Sequence, residues 1–189
     1  ELPVNAAALS APDLAVTNYH VVSQASSVKI KNFAGEVVSA SVVKTDQKHD
    51  LALLRFAGSG PPLSLATGIP RVGAEVVAIG NPQGLEWTLS TGVVSGIRMK
   101  GEDFRLYQIT APISPGSSGG PIMNAQGKVM GVATMYMLNG QNLNFAVPSS
   151  YISELMGHGG GGSSSKSRPQ PEIKSWVDEE GVLHIEQAN

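Results

Sequence analysis

The feature that most constrains this chain is a succession of short, β-branched apolar runs separated by glycine and proline turns. Such runs occur between residues 14 and 56, and again at residues 74–79, 88–97, 104–109, 128–135 and 143–147. The 22 glycines and 12 prolines supply the turns, and a hydrophobic fraction of 41% is sufficient for one packed domain. This pattern predicts an all-β fold, and two six-stranded β-barrels fit the length of 189 residues.

The periodicity changes after the last of these runs. Pro148 stands where a helix would begin, and Gly157 is suited to the left-handed residue that ends one. Between them, an apolar face with helical spacing is formed by Ile152, Leu155 and Met156. The sequence therefore predicts one short C-terminal helix.

Composition divides the chain into three parts. Residues 1–156 form the predicted domain, residues 157–172 a flexible Gly/Ser/Pro linker, and residues 173–189 a hairpin-like tail with an acidic turn at 178–181. A hairpin of this size is not stable alone. We expect it to dock by strand addition on a barrel edge, its own or a neighbour's, and a disordered tether for another partner is the alternative.

Composition also excludes several classes of function. A net charge of -2 without any basic run argues against nucleic acid as a partner. There is no cysteine, no His-Glu-x-x-His pair and no phosphate-binding loop, so no metal or other cofactor is predicted. No run approaches the roughly 20 apolar residues of a membrane-spanning helix. The chain opens at Glu1 without Met, as a processed or trimmed chain would.

The most informative segment is the turn Ile113-Ser114-Pro115-Gly116-Ser117-Ser118-Gly119-Gly120-Pro121. A hydroxyl nucleophile requires a sharp turn whose backbone N–H groups can receive a developing oxyanion, and glycines permit such a backbone. Ser118 is the candidate nucleophile. The predicted oxyanion hole comprises Gly116, Ser117 and Ser118, with the N–H groups of Gly116 and Ser118 as donors. Taken alone, the segment is also compatible with an ordinary surface loop.

A serine nucleophile requires a base, usually a histidine oriented by a carboxylate. Two of the four histidines lie in or beyond the linker, and His49 sits in a polar turn that predicts a solvated side chain. His20 follows an apolar strand and Asp50 precedes another. Each has a structural alternative, a strand-end histidine and a turn-capping aspartate. The order His20, Asp50, Ser118 favours a catalytic triad.

Further motifs surround these candidates in the same order. The three central ones are Thr17-Asn18-Tyr19-His20-Val21-Val22, Asp50-Leu51-Ala52-Leu53-Leu54 and Gly116-Ser117-Ser118-Gly119-Gly120-Pro121. Others are Ala78-Ile79-Gly80-Asn81-Pro82 followed by Gly84-Leu85, Thr91-Gly92-Val93-Val94-Ser95 and Asn144-Phe145-Ala146-Val147-Pro148-Ser149. With these motifs, residues 14–156 resemble the trypsin-like proteases of the HtrA/Deg (protease Do) group, which has the chymotrypsin fold.

The resemblance implies a double β-barrel with the active site in the cleft between the barrels. It implies a serine endopeptidase that cleaves unfolded or damaged polypeptides through an acyl-enzyme, in protein quality control. It also implies a periplasmic or other extracytoplasmic location in a bacterium. The residue before the cut is expected to be small and aliphatic, in a pocket formed by Ile113, Asn142, Leu143, Asn144 and Phe145.

Two departures from the group are evident, and Ser117 differs from the residue that digestive relatives have. Asn5-Ala6-Ala7-Ala8 stands where the group has glycines, so the first barrel is expected to be incomplete, and the trimer contacts of relatives, and thus the oligomeric state, are left open. No PDZ domain follows the protease domain. Ser117 replaces the aspartate that digestive relatives pair with a new N-terminus, so ordering of the loops around Gly116 is the expected control.

Two other functions remain open at this level. A protease-fold module could bind peptides without turnover, although it would not need all three triad residue types. An envelope scaffold could instead act through the tail that contains Trp176. The triad favours the enzyme.

Overall fold

The computed structural model describes residues 4–9, 13–31, 35–58, 62–80, 88–114, 116–138, 141–157, 173–177 and 183–187. The predicted all-β class is confirmed, with two large sheets and a short helix after the last barrel strand. Among these residues, no helix is long and apolar enough to cross a membrane.

The first sheet has five antiparallel strands in the spatial order β1-β2-β5-β4-β3. They are β1 (Ala7–Ala8), β2 (Leu14–Thr17), β3 (Val28–Lys31), β4 (Val37–Asp46) and β5 (Leu51–Phe56). Just before β1, the N–H of Val4 donates to the carbonyl of Lys29 in β3, at 2.9 Å. This short N-terminal segment thus connects the two outer strands. The sheet is an incomplete barrel of five strands, not a six-stranded one.

The second sheet is a closed barrel of six strands in the order β10-β11-β8-β7-β6-β9. They are β6 (Glu75–Gly80), β7 (Thr88–Lys100), β8 (Phe104–Ile109), β9 (Pro121–Asn124), β10 (Val129–Leu138) and β11 (Gln141–Pro148). Closure gives every strand two hydrogen-bonded neighbours, so this barrel presents no open edge.

The C-terminal helix α2 (Ser149–Leu155) has the bounds that the sequence predicts. Pro148 is its N-cap, and Gly157 follows it with a φ of +82°, in the left-handed region. Ile152 and Leu155 are buried. Their cluster contains residues of both sheets, so α2 packs at the junction of the two barrels.

A second helix, α1 (Tyr19–Val22), is a single turn that the sequence did not predict. Val21 and Val22 are β-branched and were expected to continue a strand. The chain turns instead because the N–H of Tyr19 and the side-chain amide of Asn18 both donate to the carbonyl of Asp50, each at 3.1 Å. These bonds end β2 at Thr17 and place the following residues in the helical turn.

The tail forms a separate antiparallel hairpin of β12 (Ile173–Val177) and β13 (Leu183–Gln187). It lies against β7 and β10, but its strands are hydrogen-bonded only to each other. Among the described residues, the hairpin therefore adds no strand to a sheet of its own chain, and addition to a neighbour's edge stays a prediction. The barrel that the hairpin contacts is closed and offers no edge. Most of the predicted linker, residues 158–172, lies outside the described residues.

Candidate active site

His20, in the helical turn α1 after β2, lies next to Asp50, in the turn before β5. The Nδ1 atom of His20 lies 2.8 Å from Oδ2 of Asp50, and the backbone N–H of His20 donates to Oδ1 at 2.9 Å. The side chain of Asp50 is 17% exposed, whereas that of His20 is 52% exposed. The carboxylate of Asp50 therefore orients an imidazole whose other edge is open to solvent. Burial lowers the pKa of the nearby Lys100 ammonium, and the charge of Asp50 opposes that shift.

The turn between β4 and β5 fixes the position of Asp50. Among the described residues, Asp50 is the one non-glycine residue with a positive φ, +55°. Its N–H donates to the carbonyl of Gln47, at 3.3 Å. In the same turn, the Nδ1 atom and the N–H of His49 contact the two carboxylate oxygens of Asp46, at 2.5 and 3.1 Å. An aspartate tolerates this left-handed conformation better than most residues do, and the turn provides the bonds that hold it there.

His49 is buried, and its predicted solvation is wrong. Only 9% of the residue is exposed. Its ring stacks on Tyr151 of α2 at 3.9 Å between centroids and meets the edge of Phe104 at 5.1 Å. Burial raises the pKa of Asp46, but hydrogen bonds and charge from His49 outweigh burial and leave that pKa below its usual value. The polar neighbours in sequence gave no sign of these aromatic contacts.

The serine segment forms a tight turn in the second barrel. The N–H of Ser117 donates to the carbonyl of Ser114 at 2.8 Å, and Gly116 has a φ of +94°. An i→i+3 bond with a positive φ at the third residue is typical of a type II turn, which favours glycine at that residue. The side chain of Ser117 is buried, with its Oγ 3.4 Å from the N–H of Ser114.

The backbone groups around Ser118 divide into bonded and free donors. Ser117 donates within the turn, Gly119 donates to the carbonyl of Ala133 at 3.1 Å, and Gly120 donates to the carbonyl of Ser117 at 3.1 Å. The N–H groups of Gly116 and Ser118 donate to no other residue in the described part of the chain. Two neighbouring free donors are what an oxyanion hole needs.

The serine turn lies against the end of the strand that precedes the histidine. Gly119 has a φ of +88°, and a Cβ on it would overlap Thr17 Oγ1 and the carbonyl of Asn5. Thr17 ends β2, three residues before His20. Within the described ranges, no hydrogen bond joins Ser118 to His20. Such bonds are often long in unliganded enzymes and tighten when substrate binds.

Comparison with known proteins decides the family. Residues 6–132 match the family described as trypsin-like peptidase domain. This chain belongs to that family. It is 35% identical over 149 residues to the putative serine protease HhoB of Synechocystis, covering 74% of this chain and 36% of the relative. It is 35% identical over 158 residues to the serine protease HTRA1 of Xenopus laevis, covering 78% of this chain and 34% of the relative.

Among solved structures, the serine endoprotease from Yersinia pestis is similar, with a TM-score of 0.71 and 28% identity. The match covers 81% of this chain and 56% of that chain. The predicted resemblance to the HtrA/Deg group is therefore confirmed. The chain spans about a third of the length of the two curated relatives it matches.

A cavity of about 130 Å³ in this member of the trypsin-like peptidase domain family borders the serine turn. Its lining includes Ile113, Ser114 and Ser117, with Gly80 and Ala133 among the other residues. None of the described residues that line it is charged. Gly80 permits a close approach, because a Cβ there would lie 3.1 Å from Ser117 Oγ. The cavity can therefore hold a small apolar group beside the turn.

The other residues expected in the substrate pocket have different positions. Phe145 is 2% exposed, and Leu143 packs with it in the cluster between the barrels. Asn144 is half-buried, and its side-chain amide donates to the carbonyl of Ala111 at 3.0 Å. The side chain of Asn142 lies outside the described residues. Ile113 is thus the one member of the expected set that lines the cavity.

Sequence reasoning did not assign a role to three residues that make contacts in this candidate site. Asn18 is fully buried and donates to Asp50, and Tyr151 stacks on His49. Asn5 donates from its side chain to the carbonyl of Gly116. The sequence did contain a signal for Asn5, because this residue stands where the HtrA/Deg group has glycines.

Proposed function

We propose that this chain is a serine endopeptidase in which Ser118 is the nucleophile, His20 the general base and Asp50 the residue that orients the base. The observation that carries the proposal is the pair of hydrogen bonds from His20 to the Asp50 carboxylate. A carboxylate bonded to Nδ1 fixes the tautomer in which Nε2 is free to accept a proton.

The proposed reaction uses each group in turn. Ser118 Oγ attacks the peptide carbonyl carbon while His20 Nε2 takes its proton, and the negative charge develops on the carbonyl oxygen. The N–H groups of Gly116 and Ser118 bind that oxyanion. The protonated His20 then gives its proton to the leaving amine, which leaves an acyl-Ser118 ester. Water, deprotonated by His20, hydrolyses the ester and restores the serine.

The proposed substrates are polypeptides cut after small aliphatic residues. An uncharged cavity of about 130 Å³ next to Ile113 supports this, because it offers no carboxylate to pair with Arg or Lys. Unfolded or damaged proteins as substrates, a role in quality control and a location outside the bacterial cytoplasm stay predictions from the resemblance.

Digestion of casein by the purified chain tests the function. The matched control is Ser118→Ala, which removes only one hydroxyl oxygen from a half-buried position. We expect fragments with the wild-type chain and none with the variant, while both show the same circular dichroism spectrum. Casein bound but left intact by the wild-type chain would instead indicate a peptide-binding module without turnover.

A further inference from the structure

We propose that Asn5 is a positioning residue for the oxyanion hole, an inference that rests on the proposed function. Its side-chain amide donates to the carbonyl of Gly116 in the serine turn. Asn5 precedes β1 of the first sheet, whereas Gly116 belongs to the second barrel. One hydrogen bond therefore joins the N-terminal segment directly to the loop that carries the nucleophile.

The bond completes the fixation of one peptide unit. The unit between Gly116 and Ser117 has its carbonyl bonded to Asn5 and its N–H bonded to the carbonyl of Ser114. A peptide unit held at both ends cannot rotate without breaking both bonds. The two free donors, the N–H groups of Gly116 and Ser118, flank this unit on either side. Holding it fixes the position of the two residues from which the donor-bearing peptide units extend.

The turn requires such a restraint because its central residue is glycine. Gly116 has a φ of +94°, but glycine populates negative φ as readily as positive φ. A change of sign would rotate the N–H of Gly116 away from its present direction. Preorganised donors stabilise an oxyanion more effectively than donors that must first reorient. The Asn5 side chain holds the peptide unit on the C-terminal side of Gly116 before substrate arrives, so the glycine has fewer ways to leave this conformation.

Asn5 is itself held from the histidine side of the site. Its carbonyl accepts a hydrogen bond from Thr17 Oγ1, at 2.7 Å. Thr17 is fully buried at the end of β2, and Gly119 packs directly against both Thr17 and the Asn5 carbonyl. The backbone of Asn5 is thus attached to the strand before His20, while its side chain is attached to the turn before Ser118. This arrangement sets the spacing between base and nucleophile.

The experiment compares Asn5→Ala, Asn5→Asp and Val4→Ala with the wild-type chain. Asn5→Ala removes the donor, and Asn5→Asp keeps the shape but places an acceptor against the Gly116 carbonyl. Val4→Ala is the matched control: it shortens a partly buried neighbour in the same segment and keeps the backbone bond to Lys29. The readouts are kcat, KM and the inhibition constant of a peptide boronate, whose tetrahedral adduct places an oxygen in the hole.

We expect Asn5→Ala to lower kcat about tenfold, the effect of one lost hydrogen bond, and to weaken boronate inhibition by a similar factor. Asn5→Asp should lower kcat at least as much. KM should change less than about twofold in both, because substrate in the ground state carries no oxyanion. Val4→Ala should keep the wild-type kcat and boronate affinity, with any loss confined to thermal stability.

Two results would overturn the proposal. One is an Asn5→Ala variant with the wild-type kcat, and the other is a Val4→Ala variant that loses kcat equally, which would indicate general loosening of the segment. If the wild-type chain cleaves nothing, the proposed function is wrong and this inference falls with it. If the wild-type chain and Asn5→Ala cleave equally, only the inference falls.

Discussion

The ring of His49 stacks on the ring of Tyr151, with 3.9 Å between centroids and 13° between planes. His49 adjoins Asp50 in the β4–β5 turn, and Tyr151 belongs to α2, after the last barrel strand. The Tyr151 hydroxyl also donates to the carbonyl of Asp103 at 3.0 Å and accepts from the N–H of Arg105 at 2.9 Å. The turn that presents Asp50 is therefore supported by the second barrel and its helix.

The Asp46–His49 pair predicts a pH-dependent stability. The pKa of Asp46 is lowered in the folded chain from 3.8, so its ionised form stabilises the fold at neutral pH. That contribution is lost as pH falls below about 4, toward the lowered pKa. We expect Asp46→Asn to reduce the free energy of unfolding by about 2 kcal/mol at pH 7. The difference should shrink as the pH is lowered from 5 to about 2.

Urea denaturation of both chains across this pH range is the measurement. Asp103→Asn is the control, because Asp103 forms an exposed ion pair with Lys48 at 3.1 Å and should cost less than about 1 kcal/mol. A difference between wild type and Asp46→Asn that stays constant or grows in acid would count against the assignment.

Local patterns predicted much of the fold. The C-terminal helix was predictable because Pro148 and Gly157 mark its ends and its apolar face has helical spacing. The single turn of α1 was not, because Val21 and Val22 have strand propensity and the bonds that turn the chain come from Asp50, far along the sequence. Tertiary hydrogen bonds overrode local propensity there.

In the candidate site, too, some positions were predictable from local sequence and others depend on contacts between distant segments. His20 and Asp50 were predictable from their motifs, and the structure brings them together. The burial of His49 was not, because its polar sequence neighbours conceal contacts with Phe104 and Tyr151 from other elements. The core positions of Leu143 and Phe145 likewise depend on packing between barrels. Contacts between distant segments carry no local sequence signal.

Substitutions in the proposed triad should be strongly non-additive. We expect Ser118→Ala and His20→Ala each to reduce kcat by about 10⁶-fold, and the double variant to lose no more than either alone. Asp50→Asn should retain some activity, with a loss of about 10⁴-fold, since the base survives in the wrong tautomer. Steady-state kinetics on one peptide substrate gives all four values. Substantial activity in Ser118→Ala would refute the nucleophile.

The pH dependence of kcat/KM should show a loss of activity in acid. His20 must be neutral to accept the proton of Ser118, so kcat/KM should fall in acid as the base becomes protonated. The profile should follow a single ionisation, measured where circular dichroism shows the fold intact. A rate that is flat from neutral to clearly acidic pH would exclude a histidine base.

Cleavage specificity should depend on Ile113, which lines the cavity beside the serine turn. A peptide-library digest should show cuts after Val, Ala or Leu, and Ile113→Ala should shift the preference toward larger apolar residues by widening the cavity. Ile97→Ala is the control, since Ile97 packs on the same core cluster without lining the cavity. Cuts dominated by Arg or Lys would contradict the uncharged pocket.

Labelling with a fluorophosphonate tests the central claim most directly, because the reagent reacts with a serine activated by its base and oxyanion hole. Peptide mass spectrometry of the wild-type chain should show one phosphonylated residue, Ser118, with neighbouring Ser117 unmodified. His20→Ala should abolish the adduct while leaving Ser118 in place. An unlabelled wild-type chain, or an adduct that persists without His20, would contradict the account.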